Sequence, residues 1–156
     1  MCDCCGCQAL PAISLLTQEH DHVANLVSHV RAAHERGDVP EMATLATQIA
    51  AVLGPHTTVE EEGLFPVLAG EFSGQCDRLV GEHRRIEQVL GEAADGVPSD
   101  PDWPGRLMAA LWQLREHILD EQDDVFPTAL SRLEPADWDA VDAIRQRVAT
   151  TLPAAR

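Results

Sequence analysis

Apolar residues recur at three- and four-residue steps along most of this 156-residue chain, the period of helices that hide one face. The first stripe, Leu16, His20, Val23, Val27 and Val30, predicts a helix from about Ile13 to about Arg36, stopped by Gly37-Asp38. A second stripe starts near Pro40 and carries Leu45, Ile49, Val52, His56, Glu60, Leu64 and Val67. Gly54-Pro55 lies inside it. Proline withholds a backbone donor, so a kink is expected just before His56. The third helix is predicted to begin after Ser73, an N-cap residue, and carries Cys76, Val80, His83, Ile86, Glu87 and Leu90. The segment G-V-P-S-D-P-D-W-P-G connects it to a fourth, from about Arg106 to about Leu133, with Leu107, Ala110, Leu114, His117, Glu121 and Val125 inward. Pro135 opens a last amphipathic helix through Trp138, Val141, Ile144 and Val148.

No segment alternates with period two over a useful length, and short loops join long helices. The pattern therefore predicts an all-α protein: an antiparallel four-helix bundle with a short additional C-terminal helix lying across it as a cap. The expected layout is a cysteine-rich N-terminal tail over 1–9, the bundle over 10–133, and the capping helix and tail over 134–156.

Histidine and glutamate interrupt these stripes in a regular way. Residues 56–66 read H-T-T-V-E-E-E-G-L-F-P and residues 117–127 read H-I-L-D-E-Q-D-D-V-F-P. Each holds His and Glu four residues apart, which sets both on one face of a helix about 6 Å apart along its axis. Each is preceded by Glu-His, at 19–20 and at 82–83. The chain reads as two copies of one helical hairpin, and folding them together would bring His20, His56, His83 and His117 to one level of the interior with Glu60 and Glu121. A single core histidine is ordinarily satisfied by a backbone carbonyl. Four, one on each helix, with two carboxylates whose burial without a cation costs several kcal/mol each, need another explanation. No Arg falls on the stripes near them, and Lys is absent. A bound metal turns all six groups into ligands. Six ligands exceed a tetrahedral zinc site. Carboxylates projecting into a bundle core commonly bridge two ions, and the mixed nitrogen and oxygen donors suit iron, then manganese, then zinc.

The order H…H-x-x-x-E…H…H-x-x-x-E over four helices, from about Leu10 to Leu133, resembles the hemerythrin-like, or HHE cation-binding, domain. The resemblance implies that His20, His56, Glu60, His83, His117 and Glu121 are ligands of a non-haem centre of two oxo- or hydroxo-bridged irons, with the two Glu bridging. Oxygen-carrying hemerythrins have a further His one turn after the third-helix ligand, where this chain has Glu87. Their fourth-helix carboxylate is an Asp five residues after the His, where this chain has Gln122, with Glu121 one residue earlier. A more carboxylate-rich centre favours ferric iron, so reaction with a small oxidant (oxygen, peroxide or nitric oxide) is expected rather than simple oxygen transport. Glu87 has three readings: direct ligand, hydrogen-bond partner of a ligand, or solvated residue.

The remaining chemistry is thinner. His22 is about 200° round the helix from His20 and is its substitute should the register differ. His29 lies opposite His20, and His34, near the helix end, suits the surface. Glu61, Glu62, Asp120, Asp123 and Asp124 read as a solvated face, with hydrogen bonds to the histidines or an entry path for Fe(II) as their functional alternative. Cys2, Cys4, Cys5 and Cys7 crowd the N-terminus, as a soft-metal or redox site or as idle thiols; Cys76 falls on a core stripe. The formal charge, 11 minus 26 or −15, disfavours nucleic acid and anionic membranes as partners. No apolar run or leader is evident, so the expected location is cytoplasmic. The absence of Tyr excludes a tyrosyl radical. Two functions follow: a peroxidase- or catalase-like or nitric-oxide-handling oxidoreductase active in oxidative or nitrosative stress, its electron donor undetermined, or an iron- or oxygen-binding sensor or iron store without turnover.

Overall fold

The computed structural model describes residues 8–148. In chain order it contains α1 (Ala9–Glu35), α2 (Val39–Val59), a π-turn (Glu60–Leu64), α3 (Phe65–Gly91), α4 (Trp103–Asp120), a second π-turn (Glu121–Val125), α5 (Phe126–Arg132) and α6 (Pro135–Val148). No strand occurs among the described residues. Phe72, at φ −125° and ψ 41°, leaves the helical region and kinks α3, so the bundle's third rod begins at Ser73. Helix α1 packs along α2 and α3 along α4, completing the four-helix bundle, and α6 lies against α1, α2 and the first π-turn.

Local chemistry sets the helix ends. Gly37, at φ +70°, takes the left-handed conformation that closes α1. Asp38 then caps α2 by accepting the Glu41 N–H at 3.1 Å. Before α4, Trp103 is buried and donates its indole N–H to the Val89 carbonyl at 3.0 Å, anchoring the long connection to α3. Arg106 fixes the same connection from outside by donating to Glu92 and Asp100.

Helix α2 continues through Pro55, and a departure from α-helical hydrogen bonding follows at Glu60. In both π-turns the N–H of a phenylalanine reaches back five residues to the carbonyl of a glutamate: Phe65 to Glu60 and Phe126 to Glu121. Proline follows each phenylalanine. Lacking an N–H and crowding the carbonyl four residues back, Pro66 and Pro127 disfavour a regular α-turn there, and one extra residue in the turn accommodates them.

The core is layered. Val23, Leu53, Ile86 and Leu114 belong to one apolar cluster and Leu16, Leu64, Leu79 and Val125 to another. Along every rod the histidine or His–Glu pair falls between members of the two clusters. A polar layer is thus sealed above and below by hydrocarbon. No helix among the described residues is long and apolar enough to cross a membrane.

Candidate metal centre

All six predicted site residues meet in this layer. His20, His56, Glu60 and Glu121 form one group, and Glu60, His83, His117 and Glu121 a second, with the potential ligand atoms within 4.8 Å of one another in each group. The two carboxylates are common to both groups and are fully buried, at 0 % exposure. Nε2 of each imidazole faces them: His20 to Glu121 at 3.2 Å, His56 to Glu60 at 3.3 Å, His83 to Glu60 at 3.4 Å and His117 to Glu121 at 3.3 Å.

These approaches do not have hydrogen-bond directions. All four oxygens of Glu60 and Glu121, with Nε2 of His56 and both ring nitrogens of His117, are buried without a hydrogen-bond partner. Buried polar atoms are rarely left so. Carboxylate oxygens and imidazole nitrogens converging on two points are the donor set of a hard or borderline cation, so the residues fit a metal.

The outer faces of the rings are held by a second layer. Nδ1 of His56 donates to Glu19 at 3.1 Å, and Glu19 accepts from Arg145 of α6 at 2.7 Å. Nδ1 of His83 donates to Glu61 at 2.6 Å, and Glu61 is also paired with Arg84. Nδ1 of His20 donates to Gln122 at 3.0 Å. Glu82 stands 3.7 Å from Nδ1 of His117, beyond hydrogen-bond length, and accepts from Arg78 at 2.8 Å. Fixing Nδ1 in this way aims Nε2 at the centre. Each Glu-His dipeptide is divided: its His enters the site, and its Glu turns toward the His of the neighbouring rod, bonded to it in the case of Glu19 and only near it in the case of Glu82.

Electrostatics without a metal follow from this crowding. Burial opposes an imidazolium at His56, but Glu60, Glu19 and Glu121 outweigh it and push its pKa up to about 10. His83 is likewise disfavoured by burial and raised to about 9 by Glu60, Glu121 and Glu61. His117 is raised too, against its own burial, chiefly by Glu121. Burial alone would raise Glu60, but His56 and His83 hold it well below the usual carboxylate range. The carboxylates thus favour positive charge in this layer.

The other candidates stay outside. His22, half-buried, and His29 and His34, exposed, belong to neither group. Glu87 borders the chamber at the centre, but its carboxylate accepts from Arg84 at 2.9 Å and is in neither group. Cys76 is buried, as its stripe predicts, with its thiol directed to the Phe65 carbonyl. Cys2, Cys4, Cys5 and Cys7 lie outside the described residues. Glu61, read as part of a solvated face, backs His83, whereas Glu62 pairs with Arg147 and Asp124 with Gln75 at the surface. The sequence assigns no site role to Glu19, Glu82, Gln122 or Arg145; the duplicated Glu-His dipeptide is the available signal for the first two.

A helical bundle whose sealed polar layer is built from imidazoles and shared carboxylates defines a metal-binding bundle protein. The chain matches the hemerythrin HHE cation binding domain over residues 12–129 and belongs to that family. No curated protein and no solved structure matched it significantly.

Proposed function

We propose that the chain holds two iron ions and reacts with a small oxidant: oxygen, hydrogen peroxide or nitric oxide. The observation that carries this reading is the sharing of Glu60 and Glu121 between two His-containing groups, the arrangement two adjacent ions need from bridging carboxylates. His20 and His56 would complete one position, and His83 and His117 the other. When bound, the metal pair supplies one-electron redox chemistry and an open site for the oxidant.

The chain's own residues define what can reach that site. The chamber that the six candidate ligands surround is small, about 10 Å³. Leu53, Ile86 and Leu114 line it with hydrocarbon. A hydrocarbon wall favours a small, weakly hydrated reactant over a bulky or highly charged one. Glu19, Glu61 and Gln122 hold the imidazoles in the tautomer that presents Nε2. Iron as the metal rests on the mixed donor set and on the family.

Turnover separates an oxidoreductase from a sensor or store. The iron-loaded protein is expected to consume hydrogen peroxide or nitric oxide catalytically when given a reductant, with the optical spectrum returning to its starting state. A spectrum that changes once and never recovers, without consumption of oxidant, would favour binding without turnover.

A further inference from the structure

Resting on the proposed small-oxidant reading, we infer that Thr57 donates a hydrogen bond from its hydroxyl to the small molecule bound in the chamber. Thr57 is buried at 5 % exposure and lines the chamber. Threonine in a helix ordinarily turns its hydroxyl back to the carbonyl four residues earlier. Thr17, Thr44, Thr47, Thr58 and Thr128 all do so here, to Ile13, Pro40, Ala43, Gly54 and Asp124. Alone among the described threonines, Thr57 does not turn its hydroxyl back in this way. Its hydroxyl is therefore free to donate to a molecule bound in the chamber.

The duplicated sequence shows that this hydroxyl is not part of the shared framework. In the alignment of His56-Thr57-Thr58-Val59-Glu60 with His117-Ile118-Leu119-Asp120-Glu121, the position after the histidine is Thr in one half and Ile in the other. Ile118 does not line the chamber. Of the chamber's lining residues, Thr57 alone carries a hydroxyl. The others with polar groups are the six candidate ligands and Glu87, whose carboxylate can only accept. A reactant that gains negative charge on its outer atom needs a donor, and Thr57 is the neutral group placed to supply one without disturbing the charge of the centre.

Azide serves as the probe, a small anion whose binding to the oxidised iron-loaded protein is read from its charge-transfer absorption. Thr57→Val keeps the shape and removes the donor, and should weaken azide about ten-fold or more. Thr57→Ser should stay within about two-fold of the parent, because it keeps the hydroxyl. Iron content of each variant is measured alongside, and Thr57→Ala takes the place of Thr57→Val should the latter not hold iron. Equal azide affinity in the parent and the donor-less variant, at full iron content, overturns the role of Thr57 and leaves the oxidant reading intact. A parent that holds two irons but binds no azide overturns both.

Discussion

Phe65 lies flat on the imidazole of His83, with ring centroids 6.1 Å apart and planes 7° from parallel, and Phe126 lies on His20 in the same way at 5.4 Å and 10°. Each phenylalanine comes from the opposite half of the duplicated sequence to the histidine it covers. The π-turn makes this possible: its five-residue hydrogen bond brings Phe65 over Glu60 and Phe126 over Glu121. Glutamate is shared by the two His groups, phenylalanine covers, and proline enforces the turn, so His-x-x-x-Glu-x-x-x-x-Phe-Pro acts as one device used twice.

Replacing the cover should loosen the centre. Phe65→Leu and Phe126→Leu each remove a buried ring contact and are expected to cost at least about 1 kcal/mol of stability. Thermal melts of the iron-loaded and metal-free forms should both fall. A variant as stable as the parent would show that the flat contact contributes only area.

Backing residues should matter more than neighbours that touch no imidazole. Glu61→Ala removes the acceptor at Nδ1 of His83 and is expected to weaken iron binding about ten- to hundred-fold. Glu87→Ala breaks only a surface pair with Arg84 and should change it less than about three-fold. Competition with a chelator measures both. A larger loss from Glu87→Ala would make that carboxylate a ligand.

Helix α6 is docked where the first π-turn has no side chain. A Cβ at Gly63 would come within 3.0 Å of Cγ2 of buried Val141. Gly63→Ala should therefore overpack the joint and destabilise the protein by about 1–3 kcal/mol, although alanine is the better helix former. Because Arg145 reaches Glu19 from the same helix, the variant should also lower iron affinity. Denaturant unfolding with and without iron reads the two effects separately.

The metal-free protein should depend on pH in a stated direction. His56 and His83 have folded pKa values of about 10 and about 9, above the ordinary 6.5. Their contribution is fully present below pH 6.5 and is lost as pH rises through 9 to 10. Glu60, held low, contributes above pH 4.5 and loses that contribution as pH falls through its lowered value. Melting temperature of chelator-treated protein should decline from pH 6.5 to pH 10. Iron loading at pH 7 should release protons, since the imidazoles must deprotonate to bind. A flat melting profile, or uptake of iron without proton release, would contradict the charged-layer account.

The rods and the six central residues were legible because polar groups on an apolar stripe break a strong pattern. Periodicity alone placed His20, His56, His83 and His117 on separate helices, and the four-residue offset paired Glu60 and Glu121 with two of them. The π-turns were not legible, since a search at 3.6 residues per turn assumes the geometry that Phe65-Pro66 and Phe126-Pro127 interrupt. Pro55 sits inside the continuous helix α2, whereas the π-turns form just before Pro66 and Pro127. Glu61 sits in an acidic run, and only its three-dimensional relation to His83 separates it from Glu62. Arg145 lies 126 residues from Glu19, a pairing no local pattern encodes.

The central claim is a pair of irons bridged by Glu60 and Glu121. X-ray absorption at the iron edge, on protein whose iron content has been measured, tests it most directly. The account predicts about two irons per chain and an iron–iron distance of about 3.5 Å, with the second iron lost in Glu60→Ala. One metal per chain with no metal–metal scattering, or zinc taken in preference to iron, would contradict it.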